Sequence, residues 1–130
     1  MKLTLRKQER LKSKKLIEQL YKKGKSIKVF PFRMVYLQIE HTSKYPVQVG
    51  VSVAKRNFKK APDRNRLKRL MRETYGLQKA TVYDNLSEPY IFMISYIGRE
   101  EKPYQELHSK MNSLLHLFIE KINYTKNETL

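Results

Sequence analysis

The chain has no cysteine, no tryptophan and few acidic residues: 12 Asp and Glu stand against 28 Lys and Arg in 130 residues, a net charge of +16. Without cysteine there is neither a disulfide framework nor a thiolate metal site. The three histidines, His41, His108 and His116, are scattered, and the last two lie eight apart on an expected helix, too far to share one ion directly. In the basic first half the only carboxylates are Glu9, Glu18, Glu40 and Asp63, none close to another in sequence. Nothing resembles D-x-D, H-x-x-x-H or a glycine-rich phosphate cradle. A nuclease made of protein alone needs paired carboxylates for metal ions or histidines for acid–base work, so no catalytic residue and no metal ligand is assigned here. No segment approaches the length of a membrane span. The opening MKLTLRKQERLKSKK is basic, but no apolar run follows it as in a signal peptide. Two glycosylation sequons, at Asn123 and Asn127, carry no meaning without secretion. The expectation is a soluble cytoplasmic protein with no membrane partner.

What is present is concentrated in one stretch. Residues 1–72 hold 22 Lys/Arg against 4 Asp/Glu, whereas residues 73–130 hold 6 against 8. From Lys55 to Arg72, nine of eighteen residues are Lys or Arg. This is not a disordered tail, because Leu67, Leu70, Met71 and Tyr75 recur at helical spacing and need something to pack on. On the other side Arg64, Lys68 and Arg72 form one line, and Asn65 and Arg69 a second. A solvated basic face is the ordinary explanation of a charge run. Here the density is so one-sided that like-charge repulsion along the helix is a standing cost, and guanidinium groups held in rows match phosphates held in rows. Nucleic-acid binding is the reading. Composition alone equally allows a ribosomal or general RNA-binding protein.

The pattern predicts a helix over residues 7–23, with Leu16, Ile17, Leu20 and Tyr21 as its apolar stripe and Gly24 as its stop. Such a basic amphipathic helix could lie on a membrane, but the chain runs on into a β region. A strand is expected from Phe32 to Ile39, opened by Pro31. A second runs from Val47 to Val53, where four valines alternate with Gln48, Gly50 and Ser52. The basic helix is expected to start near Pro62 or Asp63 and to stop at Gly76. Residues 77–89 show no clear pattern. Tyr90 to Ile97 reads as a central strand, and Pro103 opens a last helix whose stripe ends at Ile122, leaving 123–130 as a frayed tail. The result is one α+β domain over residues 1–130, an α/β sandwich of order α-β-β-α-β-α around a small sheet. Tyr21, Phe32 and Tyr36 are candidates for a platform on which single-stranded bases stack.

The segments Val49–Asn57 and Ala61–Glu73, with Arg64-Asn65-Arg66 at their heart, resemble the protein subunit of bacterial ribonuclease P. Arg10-Leu11-Lys12, the first helix and the late apolar strand fit the same layout, so the resemblance covers about residues 8–121. It implies a left-handed β-α-β crossover, against the usual rule. It implies that the partners are the ribonuclease P RNA subunit and precursor tRNA, and no protein partner. The RNA holds the catalytic Mg²⁺, none being bound tightly by the protein, and cuts the 5′ leader. By the same resemblance Lys55, Arg56, Asn57, Lys59, Lys60, Arg64, Asn65, Arg66, Lys68, Arg69 and Arg72 contact RNA. A cleft of Lys12, Ile17, Tyr21, Tyr36 and Ser52 takes the single-stranded leader. The family often has phenylalanine where this chain has Ile17, which shifts stacking onto Tyr21.

Overall fold

A computed structural model describes residues 5–128. A 3-10 turn at Lys7–Glu9 leads to α1 (Lys14–Lys23), then β1 (Lys25–Val29), β2 (Phe32–Gln38), β3 (Val47–Val53), α2 (Ala61–Asp84), β4 (Tyr90–Tyr96) and α3 (Tyr104–Glu128). The sheet order is β1-β2-β4-β3. β2 is antiparallel to both β1 and β4, while β3 runs parallel to β4 and α2 makes the crossover between them. The chain therefore has the expected α+β architecture. β4 inserts between β2 and β3 and is buried along almost its whole length, which is why its sequence is a continuous apolar run rather than an alternation.

The two faces of the sheet differ in cover. On one face Phe32, Met34 and Tyr36 of β2, Val47, Val49 and Val53 of β3 and Tyr90, Phe92, Ile94 and Tyr96 of β4 meet α2 and α3. The period-two valines of β3 all serve this core, Val51 at its partly buried edge. The Phe118 ring centres it, 4.7 Å from Phe92, 5.0 Å from Tyr36 and 5.3 Å from Tyr90, each edge to face, geometry that adds to area burial. On the other face a smaller cluster, Leu11, Leu20, Val35, Ile91 and Met93, is covered by α1 alone. Gly24 ends α1 where a Cβ would collide with the Leu20 carbonyl oxygen and meet a Val35 methyl at 2.8 Å. Its lack of a side chain lets the helix end lie directly on β2.

Several boundaries depart from expectation. The sheet gains β1, whose KSIKV buries Ile27 and partly buries Val29, an alternation too short to stand out in the sequence; its lysines block further pairing at the edge. Phe30 and Pro31, joined by a cis peptide, make the turn between β1 and β2, and Pro31 directly precedes β2 as expected. The first helix begins at Lys14 instead of residue 7, because Arg10 pairs with Val49 and the Leu11 amide donates to the Val49 carbonyl at 3.0 Å, which keeps the chain extended along β3. Ser13 then caps α1 by accepting from the Leu16 amide at 3.2 Å. Gly76 does not stop α2, which continues to Asp84. Gly76 is itself buried and Tyr75 and Val82 pack into the core, which offsets the roughly 1 kcal/mol that glycine costs inside a helix. α3 likewise continues past Ile122 to Glu128, and residues 129–130 of the expected tail lie outside the described residues.

Candidate nucleic-acid interface

The first half of α2 is anchored from below and open above. Leu67 and Met71 are fully buried, so the helix cannot roll. Asp63 lies in the first turn and suits the helix dipole. Asn65, Arg66 and Arg69 are exposed, with Lys68 and Arg72 half-buried beside them. Arg64 has a second task. Its Nη1 donates to the Phe58 carbonyl at 2.8 Å and the Lys59 carbonyl at 3.0 Å, tying the basic loop Lys55–Lys60 to the helix start. The Asn57 and Phe58 amides turn back on the Ala54 carbonyl, both at 3.2 Å, and the Phe58 ring rests against Tyr96 at 5.7 Å. Lys55, Arg56, Lys59 and Lys60 thus project from a braced loop, all exposed. Arg66 alone of the motif is held by carboxylates: its Nη2 and Nε reach Glu101 Oε1 at 2.6 and 3.2 Å, with Asp63 Oδ1 at 3.4 Å. Glu101 raises its already high pKa, so it stays cationic.

The α1 face of the sheet carries a polar row beyond the helix. Strand register aligns Lys28, Arg33, Ser95 and Ser52 across β1, β2, β4 and β3. The next row, Val35, Met93 and Gly50, lies at the smaller cluster covered by α1. Ser52 Oγ and Ser95 Oγ share a hydrogen bond of 2.7 Å, and Arg33 Nε donates to Ser26 Oγ at 3.0 Å. Where the parallel pair β3 and β4 ends, a concavity of about 570 Å³ opens, lined by Arg56, Asn57, Ile97 and Arg99. Ligands of parallel sheets favour this position, outside the carboxyl ends of the strands.

The expected cleft residues do not all meet. Ser52 lies in the polar row. Ile17 is half-buried against the smaller cluster, and Tyr21, one turn further along α1, is 58% exposed. Lys12 is exposed but lines a recess with Arg10, Ser13, Glu40, His41 and Gln48. Gln48 is four residues before Ser52 on the same strand face, about 13 Å away, so Lys12 stands on the far side of the area α1 covers. Tyr36 belongs elsewhere altogether: it is 8% exposed, on the opposite face, edge to face with Phe118, and burial raises its hydroxyl pKa. Phe32 is fully buried on that same face. Of the three rings considered as a stacking platform, only Tyr21 is at the surface. Arg33, Lys28, Ser95 and Arg99 were missed. Arg33 had a usable signal, being the one charged residue of β2 and alternating against Phe32 and Met34.

A second polar centre was also missed. Glu9 is fully buried. Its oxygens accept from Lys79 Nζ at 2.8 and 2.9 Å and from the Tyr83 hydroxyl at 2.5 Å, and Oε1 also accepts from the Arg6 amide at 3.0 Å. Burial works to raise the Glu9 pKa, but these donors together outweigh it and leave the carboxyl below its ordinary value. Among the described residues no three His, Asp or Glu are grouped to hold a metal ion. The Arg56, Asn57 and Arg99 side chains that line the concavity do not fit Mg²⁺, which requires oxygen ligands and negative charge.

Fold and surface define a small basic α+β protein whose cationic helix flanks the open end of a mixed sheet. The chain belongs to the ribonuclease P protein family, whose model matches residues 5–118. It is 44% identical over 89 residues to the ribonuclease P protein component of Porphyromonas gingivalis strain ATCC 33277, an alignment spanning 68% of this chain and 64% of that one. With the component of Chlorobium phaeobacteroides it shares 41% over 83 residues, 62% and 57% of the two lengths. The chain thus spans under two thirds of the length of these curated relatives. The fold matches the ribonuclease P protein of Staphylococcus aureus with a TM-score of 0.67 at 20% identity, over 84% of this chain and 94% of that one. It matches the Thermotoga maritima protein with 0.66 at 21%, over 82% and 94%. Among the described residues no helix is long and apolar enough to cross a membrane.

Proposed function

We propose that the chain is the protein subunit of a cytoplasmic ribonuclease P holoenzyme, which removes the 5′ leader of precursor tRNA by Mg²⁺-dependent endonucleolytic cleavage. The observation that carries this reading is the open end of the β3–β4 pair, where the Ser52–Ser95 row runs into Arg56, Asn57 and Arg99 beside the braced start of the cationic helix. The exposed rows of α2 and the Lys55–Lys60 loop bind the RNA subunit. The polar row and Tyr21 take the single-stranded leader, whose phosphates meet Arg33 and Arg56 and whose bases stack on the exposed Tyr21 ring. Because the residues lining this concavity do not fit Mg²⁺, the reading leaves the metal to the RNA. The protein raises affinity for precursor over product, since the product lacks the leader, and this differential binding needs no catalytic group in the chain. Its positive field also reduces repulsion between two RNAs.

The experiment is cleavage of a precursor tRNA at low Mg²⁺ by the protein alone, by a bacterial ribonuclease P RNA alone and by the two mixed. Leader removal only in the mixture supports the proposal. Cleavage by the protein alone overturns the division of labour. No stimulation of an RNA that is competent at high Mg²⁺ returns the chain to general RNA binding.

A further inference from the structure

The N-terminal segment is strapped across the edge of β3 with unusual firmness. The Gln8 carbonyl accepts from Ser43 Oγ at 2.7 Å and Gln48 Nε2 at 3.3 Å. Glu9 is buried in its bonds to Lys79 and Tyr83, Arg10 bridges Val49 and the Leu11 amide is bonded to Val49. Four consecutive residues are therefore fixed, yet the side chain between the buried Glu9 and the buried Leu11, that of Arg10, is left exposed. A buried ion pair is weak evidence for stability, and fixing register is its best-attested use.

The register it fixes has a direction. Lys68, Arg72, Lys79 and Tyr83 follow one line on α2, spaced four, seven and four residues. Arg72 is two turns before Lys79, about 10 Å along the axis. Holding Glu9 at Lys79 therefore sets the strap on the line that the cations occupy. Arg10 is close enough to act on Arg72: burial first, and then the Arg10 charge, lowers the Arg72 pKa. Among the described residues neither guanidinium has a carboxylate within ion-pair distance. Two like charges near each other without a counterion, one of them half-buried, favour the approach of an external anion.

Resting on the RNA-binding reading above, we propose that Glu9, Lys79 and Tyr83 form a buried latch that positions Arg10 beside Arg72, and that this pair, drawn from two distant segments, is a phosphate site for RNA. Glu9 is a positioning residue and touches no ligand. The phosphate belongs either to the RNA subunit or to the leader, and the same chemistry serves both.

The test measures affinity and its salt dependence for wild type, Arg10→Ala, Glu9→Gln and the double variant. One arm uses bacterial ribonuclease P RNA, the other precursor and mature tRNA on the assembled holoenzyme. Circular dichroism melts define a temperature at which every variant is folded, and Tyr83→Phe, which removes one bond of the latch, serves if Glu9→Gln does not fold. Arg10→Ala is expected to weaken binding about tenfold and reduce the salt slope by about one with an unchanged melt. The latch variant should lose the same salt slope, and the double variant should bind no more weakly than Arg10→Ala alone. Lys79→Arg should retain the slope. Loss in the first arm assigns the phosphate to the RNA subunit; loss confined to precursor assigns it to the leader. Wild-type binding with a silent Arg10, or additive losses in the double variant, overturns the inference alone. Failure of wild type to bind this RNA overturns the proposed function and the inference together.

Discussion

The two halves of α2 share an apolar underside and treat their polar groups in opposite ways. In the first half, up to Arg72, Lys68, Arg69 and Arg72 have no carboxylate partner among the described residues. In the second half polar side chains are consumed internally. Lys79 and Tyr83 close on Glu9, and Gln78 Nε2 donates to the Thr74 carbonyl at 3.2 Å and to the His108 carbonyl of α3 at 3.1 Å. Leu67 and Met71 bury one half as Tyr75 and Val82 bury the other. The difference therefore lies in what the upper surface is left to do: one half holds the fold together and the other holds charge ready for a partner. Measurements of stability and of RNA binding should separate along the same helix.

The largest effect should come from breaking the closed half. Lys79→Met leaves the fully buried Glu9 without its cation, and one-sided loss of a buried pair costs about 3 kcal/mol, or roughly 10 °C of melting temperature in a domain of this size. The same replacement at Lys68 should move the melt by less than about 0.5 kcal/mol while weakening RNA binding. Similar melts for the two variants would erase the distinction. Acid should act on the same centre. The folded Glu9 pKa lies below its ordinary 4.5. Its contribution is thus complete above about 4.5 and lost as pH falls through the lower folded value. Urea midpoints taken from pH 6 down to 3 should fall more steeply for wild type than for Glu9→Gln.

Next in size is the open half. Replacing Arg66 and Arg69 together by alanine should lower affinity for the RNA subunit about a hundredfold, near tenfold for each charged contact, and reduce the salt slope by about two. Thermal stability should stay nearly constant. A melt that collapsed with affinity would mean these arginines serve the fold.

These two halves were not equally legible in the sequence. The open half announced itself, because charge density and a helical apolar stripe are local signals, and Arg64, Lys68 and Arg72 could be placed on one line by counting. The closed half was invisible. Gly76 argues locally for a stop, and nothing near Glu9 tells of Lys79 or Tyr83, seventy and seventy-four residues away. Tyr36 shows the limit on the sheet: alternation placed it correctly with Phe32 and Met34, but only the packing of α3 decides that this is the covered face. β1 is too short to stand out, since Ile27 and Val29 alternate with Ser26 and Lys28 over only four residues, and Lys12 was grouped with Ser52 on family resemblance although the strand register separates them.

The smallest effect comes from the one residue that blurs the comparison. Arg66 stands in the open half but is held by Glu101 across 35 residues and by Asp63 three residues back. The pair is solvent-exposed, with side-chain exposures of 47% for Arg66 and 37% for Glu101, and such pairs contribute little to stability. Its consequence is for binding, since a phosphate that engages Arg66 must compete with Glu101 for the same donors. Glu101→Gln removes the ionic hold on them, leaving only a neutral acceptor, and also removes one negative charge from the side proposed to face RNA. Glu100→Gln makes the same change of net charge at the neighbouring position, where the pairing is absent among the described residues, and so isolates the competition. Glu101→Gln should tighten RNA-subunit binding about threefold more than Glu100→Gln does, an increment within the range of an exposed ion pair. That excess should vanish when Arg66 is already alanine. An equal gain from both glutamines would show that only the field matters, and a loss from Glu101→Gln would show that the carboxylate orients Arg66 for its phosphate rather than competing with it.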